Sequence, residues 1–449
     1  MDESPKLLGI DIGTSKVAAV IIDTGKNLLA VSSRIHHADI QSGPGLAEQD
    51  AEKLLQTVNS VVNSLPEHLR EKVEAVGVTG QMHGLVLSDS RLHPLSPLIT
   101  WQDARCMQNN FLTQLSQRTG QRLHSGYGCA TLAWLIAHGE LPAGSKNACT
   151  IQDLFVARLC GLSRPVTDPT DAASWGLFDL HSRNWIAEAI ERADIPGEIL
   201  PQVLPSQARA GALSPPLAET LGIPPGIPVA VAIGDNQASL LAVLAEPEHD
   251  LALNLGTGGQ LSAVLPATAS AQIVTDDSPF EYRPYPDEKL VAVASSLCGG
   301  SAWAWLADTV DRWLSDLNLP ALPRDRLFQR LNELGWNSKS ELKVFPHFLG
   351  ERYDESLKAS ISGIRLDNFD LGTLACSLAH GIVANLKSML PAFAFANRKQ
   401  VVGSGNALRR NPLLRQAAER VLELPLQMSD LQEEAACGAA LHAAALLRF

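Results

Sequence analysis

At 449 residues the chain is too long for one ordinary core, so two or three domains are expected. With 45% hydrophobic and 19% charged residues it reads as folded rather than disordered. A formal net charge of -12 argues against sequence-independent nucleic-acid binding, which needs a basic surface, yet leaves a nucleotide ligand open, since backbone amides and a metal ion can hold phosphates.

The chain begins with acidic Asp2 and Glu3 and no long apolar run, so no signal peptide is expected. Residues 7–12 are an apolar run interrupted by Asp11, Gly13-Thr14-Ser15-Lys16 is a turn, and residues 17–22 are a second β-branched run. That is a hairpin signature. A carboxylate at the inner end of a buried strand is costly unless a cation or a donor meets it. The turn beside it offers backbone N–H groups and two hydroxyls, which suits a phosphate with its metal ion. Asp11 capping its own turn explains this stretch equally well.

A third strand is expected over 28–32 and a helix over 51–64, with Leu54, Leu55, Val58, Val61 and Val62 near helical spacing. A strand over 72–78 runs into Thr79-Gly80-Gln81-Met82-His83-Gly84. Polar side chains at a strand end mark ligand sites in α/β proteins, although a lone histidine beside a methionine is more often structural. Residues 99–106 bring Trp101, Gln102, Asp103 and Arg105 together. An indole face and a carboxylate suit a sugar, whose C–H face stacks while its hydroxyls need acceptors; a surface Asp–Arg pair is the plain alternative. Residues 125–134 and 150–162 read as loop-then-helix elements, and the turn-rich stretch 168–180 as a rim or lid.

Prolines recur at 196, 201, 205, 215, 216, 224, 225 and 228, which forbids long helices and marks a connector. It leads to a strand over 229–233 and then to Gly234-Asp235-Asn236 opening a helix. Asp is a favoured N-cap there, and the same position also suits a base. Residues 250–265 echo the first hairpin, with Gly256-Thr257-Gly258-Gly259 as the turn, so a duplicated fold with two phosphate-holding turns facing a shared cleft is expected. A strand over 290–296 precedes a helix over 299–319 whose Trp303, Trp305 and Trp313 are expected in the core. Residues 344–352 read as a strand and polar turn, and 370–390 as a long helix with Leu374, Leu378, Ile382 and Leu386 on one stripe. Residues 400–402 end in Gly403-Ser404-Gly405-Asn406 ahead of a helix from about 411; a strand-to-helix glycine turn lets another group approach the backbone. The absence of GxGxxG and Walker A patterns disfavours a Rossmann dehydrogenase and a P-loop kinase. Residues 435–447 are expected as a buried helix, too short to span a bilayer. Seven cysteines without a CxxC pair read as reduced thiols in a cytoplasmic protein.

Taken together, GIDIGTS, EQD at 48–50, GQMHG, WQDARC, GDNQAS, LGER at 349–352, GSGNALRRNPLLRQ and EEAACGAALHAA resemble the FGGY carbohydrate kinases in family order. The resemblance implies an α/β fold of two duplicated ribonuclease H-like domains of the actin, hexokinase and Hsp70 ATPase type, residues 1–242 binding sugar and 243–449 binding nucleotide. It further implies ATP and Mg2+ in a central cleft, Asp235 as general base, and Gln81, Met82, His83, Trp101, Asp103 and Asn236 on the sugar. Asp11 is implied as the metal residue. Gly13, Thr14, Ser15, Gly256, Thr257, Gly258, Gly403, Ser404, Gly405 and Asn406 are implied on the nucleotide. GQMHG and the Trp-x-Asp-x-Arg segment point to ketose-phosphorylating members. Sedoheptulose is the expected acceptor, with xylulose or another pentulose as the alternative, and a non-kinase ATPase or silent sugar sensor as the different class. The expected partners are this ketose and ATP, with no nucleic acid, no membrane and a possible homodimer. Where family members have a small residue and, two positions on, a lysine, this chain has Lys16 and Ala18. The displaced lysine is expected on the other face of the strand and is given no catalytic role.

Overall fold

The two apolar runs at the N-terminus form the expected hairpin: β1 (Lys6–Ile12) pairs antiparallel with β2 (Lys16–Asp23), Ile12 opposite Val17. β3 (Leu28–Ile35) continues the meander past its expected end at Ser32. The computed structural model describes residues 4–268, 278–339 and 341–447, so Asp2 and Glu3 lie outside the described residues. Helix α1 (Ala51–Asn63) starts at Asp50, whose side chain accepts from the Lys53 N–H, and buries the five-residue apolar stripe read from the sequence. β4 (Val73–Gly80) then returns parallel to β1, with Asp11 opposite Thr79.

Further elements complete this unit: α2 (Ile151–Cys160), α3 (Pro169–Ala173), β5 (Arg209–Ala212), β6 (Pro228–Ala230), β7 (Ile233–Gly234) and α4 (Asp235–Val243). The sheet runs β5-β6-β4-β1-β2-β3, with β7 also paired to β4. The strand expected over 229–233 is thus broken in two. The first part of the stretch expected as a rim or lid is core instead: Asp168 caps α3, and residues 168–172 are buried. The proline-rich connector holds only short pieces, such as the seven-residue helix Pro215–Leu221.

The second hairpin is β8 (Asp250–Leu255) with β9 (Gly259–Leu265), turning through residues 256–258. β10 (Phe280–Pro284), β11 (Leu290–Ser296), α5 (Gly300–Asp316), α6 (Arg324–Trp336), α7 (Leu371–Met389), β12 (Gln400–Ser404), α8 (Asn406–Arg410), α9 (Pro412–Leu422) and β13 (Leu426–Met428) follow. This sheet runs β10-β11-β9-β8-β12-β13. In both sheets an antiparallel hairpin carries a third antiparallel strand on its second arm and a parallel strand on its first. The duplication inferred from two short turns is therefore present in the topology. Trp303 is buried, but Trp313 is 46% exposed, against expectation, because it lies on the solvent side of the amphipathic α5. The strand expected over 344–352 is only Lys343–Phe345, and two helices meeting at Asn411 replace the single helix expected from about 411.

The chain forms two compact units, Met1–Val243 with Pro284–Glu288 and Leu431–Phe449, and Leu244–Arg283 with Lys289–Asp430. These differ from a consecutive split at 242/243, because the C-terminal helix Glu434–Ala444 packs in the first unit. It lies on β1 and β4 at glycines: a Cβ at Gly77 would stand 1.8 Å from the Ala439 carbonyl oxygen. Its His442 is fully buried, and burial lowers the imidazole to about 4, so it is neutral. All seven cysteines are free. Among the described residues no helix is long and apolar enough to cross a membrane.

Candidate active site

In the first unit the Gly13–Ser15 turn is held from behind. The Thr14 carbonyl accepts from His36 Nε2 and Gln49 Nε2, both at 2.8 Å, and Gln81 Nε2 donates to Gln49 Oε1 at 2.9 Å. Gln81 is 1% exposed, and through Gln49 its amide braces this turn. Half-buried Asp11 ends β1 beside the turn, and its Oδ1 is enclosed without a hydrogen-bond donor among the described residues. Burial first, then the charges of Asp235 and Glu433, push its carboxyl up to about 7, with Lys16 pulling the other way.

The strand face expected for Lys16 is corrected by the packing of β2. Side chains two apart on a strand share a face, and Val20 and Ile22 of β2 pack with Leu7 and Ala436 on one side of the sheet, while Val17, Ala19 and Ile21 pack on the other. Lys16 and Ala18 therefore point the same way. The Lys16 ammonium reaches both carboxylate oxygens of Glu433, at 2.6 and 2.7 Å.

After β4 the chain enters the GQMHG segment. His83 has a φ of 73°, an uncommon conformation for a non-glycine residue and one seen at functional sites. Its N–H donates to Ser174 Oγ at 3.0 Å, and its Nδ1–H donates to the Ser174 carbonyl at 2.6 Å. Its ring stacks on Tyr127, centroids 5.0 Å apart. Met82 is buried against Gly234, where a Cβ would come within 2.9 Å of its thioether. Trp101 is 40% exposed, and its indole N–H donates to Thr14 Oγ1 at 3.1 Å.

Asp103 is placed differently from expectation. It is 1% exposed, and its two oxygens accept from the Ala47 N–H and from Arg105 N, Nε and Nη2 at 2.8–2.9 Å. With four donors its lone pairs are taken, so it anchors Arg105, which also binds Glu48 at 2.6 Å. Asp235 and Asn236, both half-buried, open α4 directly after β7.

In the second unit three N–H groups at the start of α5 donate to the glycine turn: Gly299 and Ser301 to the Thr257 carbonyl, and Gly300 to the Gly256 carbonyl. Gly405 has a φ of 89°, and a Cβ there would lie 2.4 Å from the Leu255 carbonyl oxygen. These close approaches shape a pocket of about 1260 Å³ lined by Gly256, Thr257, Gly405 and Asn406, with Trp303 and Phe328 as its aromatic side chains. Small-molecule sites are typically ≈ 300–1,000 Å³, so this one is large enough for a nucleotide. Gly403 and Ser404 are buried strand positions, and Gly258 packs under Ser296 O; none of the three lines the pocket.

Two family models match nearly the whole chain: the N-terminal domain of the FGGY family of carbohydrate kinases over residues 6–242, and its C-terminal domain over 251–447. The chain belongs to the FGGY family of carbohydrate kinases. It is 34% identical to a sedoheptulokinase of Mus musculus, with 98% of each chain covered, and 25% identical to a xylulose kinase of Staphylococcus xylosus, with 98% of this chain and 90% of that one covered. The crystal structure of xylulose kinase from Rhodospirillum rubrum superposes with a TM-score of 0.81 at 23% identity, covering 98% of this chain and 90% of that one, which shows the shared two-domain actin/hexokinase-like fold.

Behind the GQMHG segment lie residues the sequence did not flag. Gln152, fully buried, donates to Asp171 Oδ1 at 2.9 Å, and Asp153, Asp168 and Asp171 form a buried carboxylate group. Burial pushes Asp153 up to about 7 and Asp168 to about 6. A carboxyl raised in the folded state adds stability below its ordinary value of 3.8 and loses it as pH rises through the folded value. The enzyme is therefore expected to melt lower at pH 8 than at pH 5.5. Asp153→Asn should reduce that slope and raise the pH 8 melting temperature by about 2–4 °C per kcal/mol recovered. Calorimetry at both pH values checks it; a lower melting temperature for the variant at pH 8 would show that the carboxylate is needed ionised.

Proposed function

We propose that this enzyme transfers the γ-phosphoryl group of ATP to a ketose, with sedoheptulose as the acceptor and sedoheptulose 7-phosphate as the product. The observation that carries the acceptor is the full-length 34% identity with a sedoheptulokinase, set against 25% with a xylulose kinase. The geometry supports the reaction class. Asp235 stands at the mouth of a strand-to-helix turn in the unit that also carries His83 and Trp101. Asp235 takes the proton of the attacking hydroxyl as that oxygen bonds to the γ-phosphorus and the bond to the β,γ-bridging oxygen breaks. The His83 ring contacts the sugar, and the Trp101 indole offers an apolar face to the carbon chain. The glycine-lined pocket of the second unit takes the nucleotide.

The residues around Asp11 fit Mg2+. An enclosed carboxylate oxygen without a donor, close to two further acids, wants a cation. Mg2+ typically takes only one or two protein carboxylates and keeps waters and phosphate oxygens, so Asp11 alone could serve it. When bound, Mg2+ supplies charge compensation to the phosphates. Lys16, beside the same turn, offsets the charge of Glu433.

Initial rates with ATP-Mg2+ over sedoheptulose, xylulose, ribulose, fructose and glycerol test the acceptor. Sedoheptulose should give the highest kcat/KM. A higher value for xylulose would move the assignment to a pentulose kinase, and ATP turnover indifferent to every sugar would move it to an ATPase. Without sugar, ADP release should be far slower than with it, because water is a poor competitor once a site is built to hold a larger acceptor.

A further inference from the structure

The two-residue strand β7 carries the chain into Asp235, and so short a strand has little ladder of its own to fix its position. Its central peptide is instead gripped from both sides by threonine hydroxyls. Thr79 Oγ1 donates to the Ile233 carbonyl at 2.6 Å, and the Gly234 N–H of the same peptide donates to Thr170 Oγ1 at 2.8 Å. Both threonines are fully buried. Because Thr170 accepts from Gly234, its own proton goes to Asp168 Oδ1, at 2.5 Å. Asp168 is in turn held by the Thr170 and Asp171 N–H groups and by Ser206 Oγ at 2.7 Å.

We propose that Thr170, oriented by Asp168 and opposed by Thr79, is a positioning residue that aims Asp235 at the acceptor hydroxyl; the inference rests on the reading of Asp235 as the base. The same short helix α3 also reaches the sugar side. Ser174, at its C-terminal end, binds His83 through both its hydroxyl and its carbonyl, and Asp171 accepts from Gln152. Base and sugar ligand are thereby referenced to one buried element, the Thr170 hydroxyl bonding the peptide ahead of the base and Asp168, and Ser174 bonding His83. Loss of the Thr170 hydroxyl should act on the chemical step and spare ketose binding.

Thr170→Val keeps the side-chain shape and removes the hydroxyl. It is expected to lower kcat about 10- to 100-fold, the scale of a misplacement near 1 Å, with the ketose KM within about threefold. Thr170→Ser should restore kcat to within about threefold, since it returns the hydroxyl alone. In an Asp235→Asn background Thr170→Val should cost nothing further in kcat, because the group it aims is gone. Wild-type kcat in Thr170→Val, a matched rise in KM, failure of the serine to rescue, or a full additional loss in the Asp235→Asn background would each overturn the proposal. If Thr170→Val does not fold by circular dichroism, Thr79→Val, which releases the other side of the same peptide, is read by the same criteria. An active Asp235→Asn enzyme would instead remove the reading of the base itself, and an inactive one beside an unimpaired Thr170→Val would remove only the aiming role.

Discussion

Asp235→Asn is expected to lower kcat by about 10²–10⁴-fold, the usual contribution of a positioned general base, while the ketose KM stays within a few-fold. The side chain opens α4 at the end of β7, half-buried, where its charge is felt by Asp11. The amide keeps the shape of the carboxylate and its place at the helix start, so what is lost is the ability to take a proton. A loss confined to kcat marks an interaction made only in the transition state, whereas a base that also bound the ground state would raise KM. Coupled measurement of ADP release with sedoheptulose, alongside calorimetric ketose binding, separates the two. A variant keeping more than about a tenth of wild-type kcat would deny Asp235 the role of base.

How much of this was legible in the chain depends on the range of the interaction involved. The two glycine hairpins and their duplication are written locally, in β-branched runs and turn residues, and the sheets reproduce them. The stripe of α7 was equally legible because helical spacing alone decides which side of a helix is buried. A lysine shifted by two residues stays on the same face of β2, because side chains alternate with period two. Asp103 looked like a sugar ligand because its type and its tryptophan neighbour fit. What decides its role is that the Ala47 N–H and Arg105 fill its lone pairs, and Ala47 is remote in sequence. The stretch 168–180 read as a lid because turn-rich composition suggests exposure; its burial depends on partners at Gly234, Gln152, Ser206 and His83 that no local window contains. The same limit hid the C-terminal helix's place in the first unit, which depends on glycines on two different strands and on α4: a Cβ on Gly438 would stand 1.7 Å from the Ala238 carbonyl oxygen.

Asp11→Asn is expected to lower kcat by at least about 10²-fold and to raise the Mg2+ concentration needed for half-maximal rate, because charge compensation at the phosphates is among the largest contributions to phosphoryl transfer. The same substitution should make the ligand-free enzyme more stable near pH 8. Asp11 is raised to about 7 by burial and by two neighbouring acids, so above that pH the folded chain carries a carboxylate it holds less well than the unfolded chain does. Removing the charge relieves that penalty, by about 1–2 kcal/mol once the partial exposure of the residue is allowed for. Opposite signs for stability and activity identify a group strained for its function rather than one serving the fold. Lys16 sharpens the test, since its pairing with Glu433 leaves the acids around Asp11 only partly compensated. Thermal melts with and without ATP-Mg2+ supply the readout. Wild-type enzyme should be stabilised strongly by the ligand and Asp11→Asn weakly, and a variant that melts lower without ligand while keeping its Mg2+ dependence would show that Asp11 only caps its own turn.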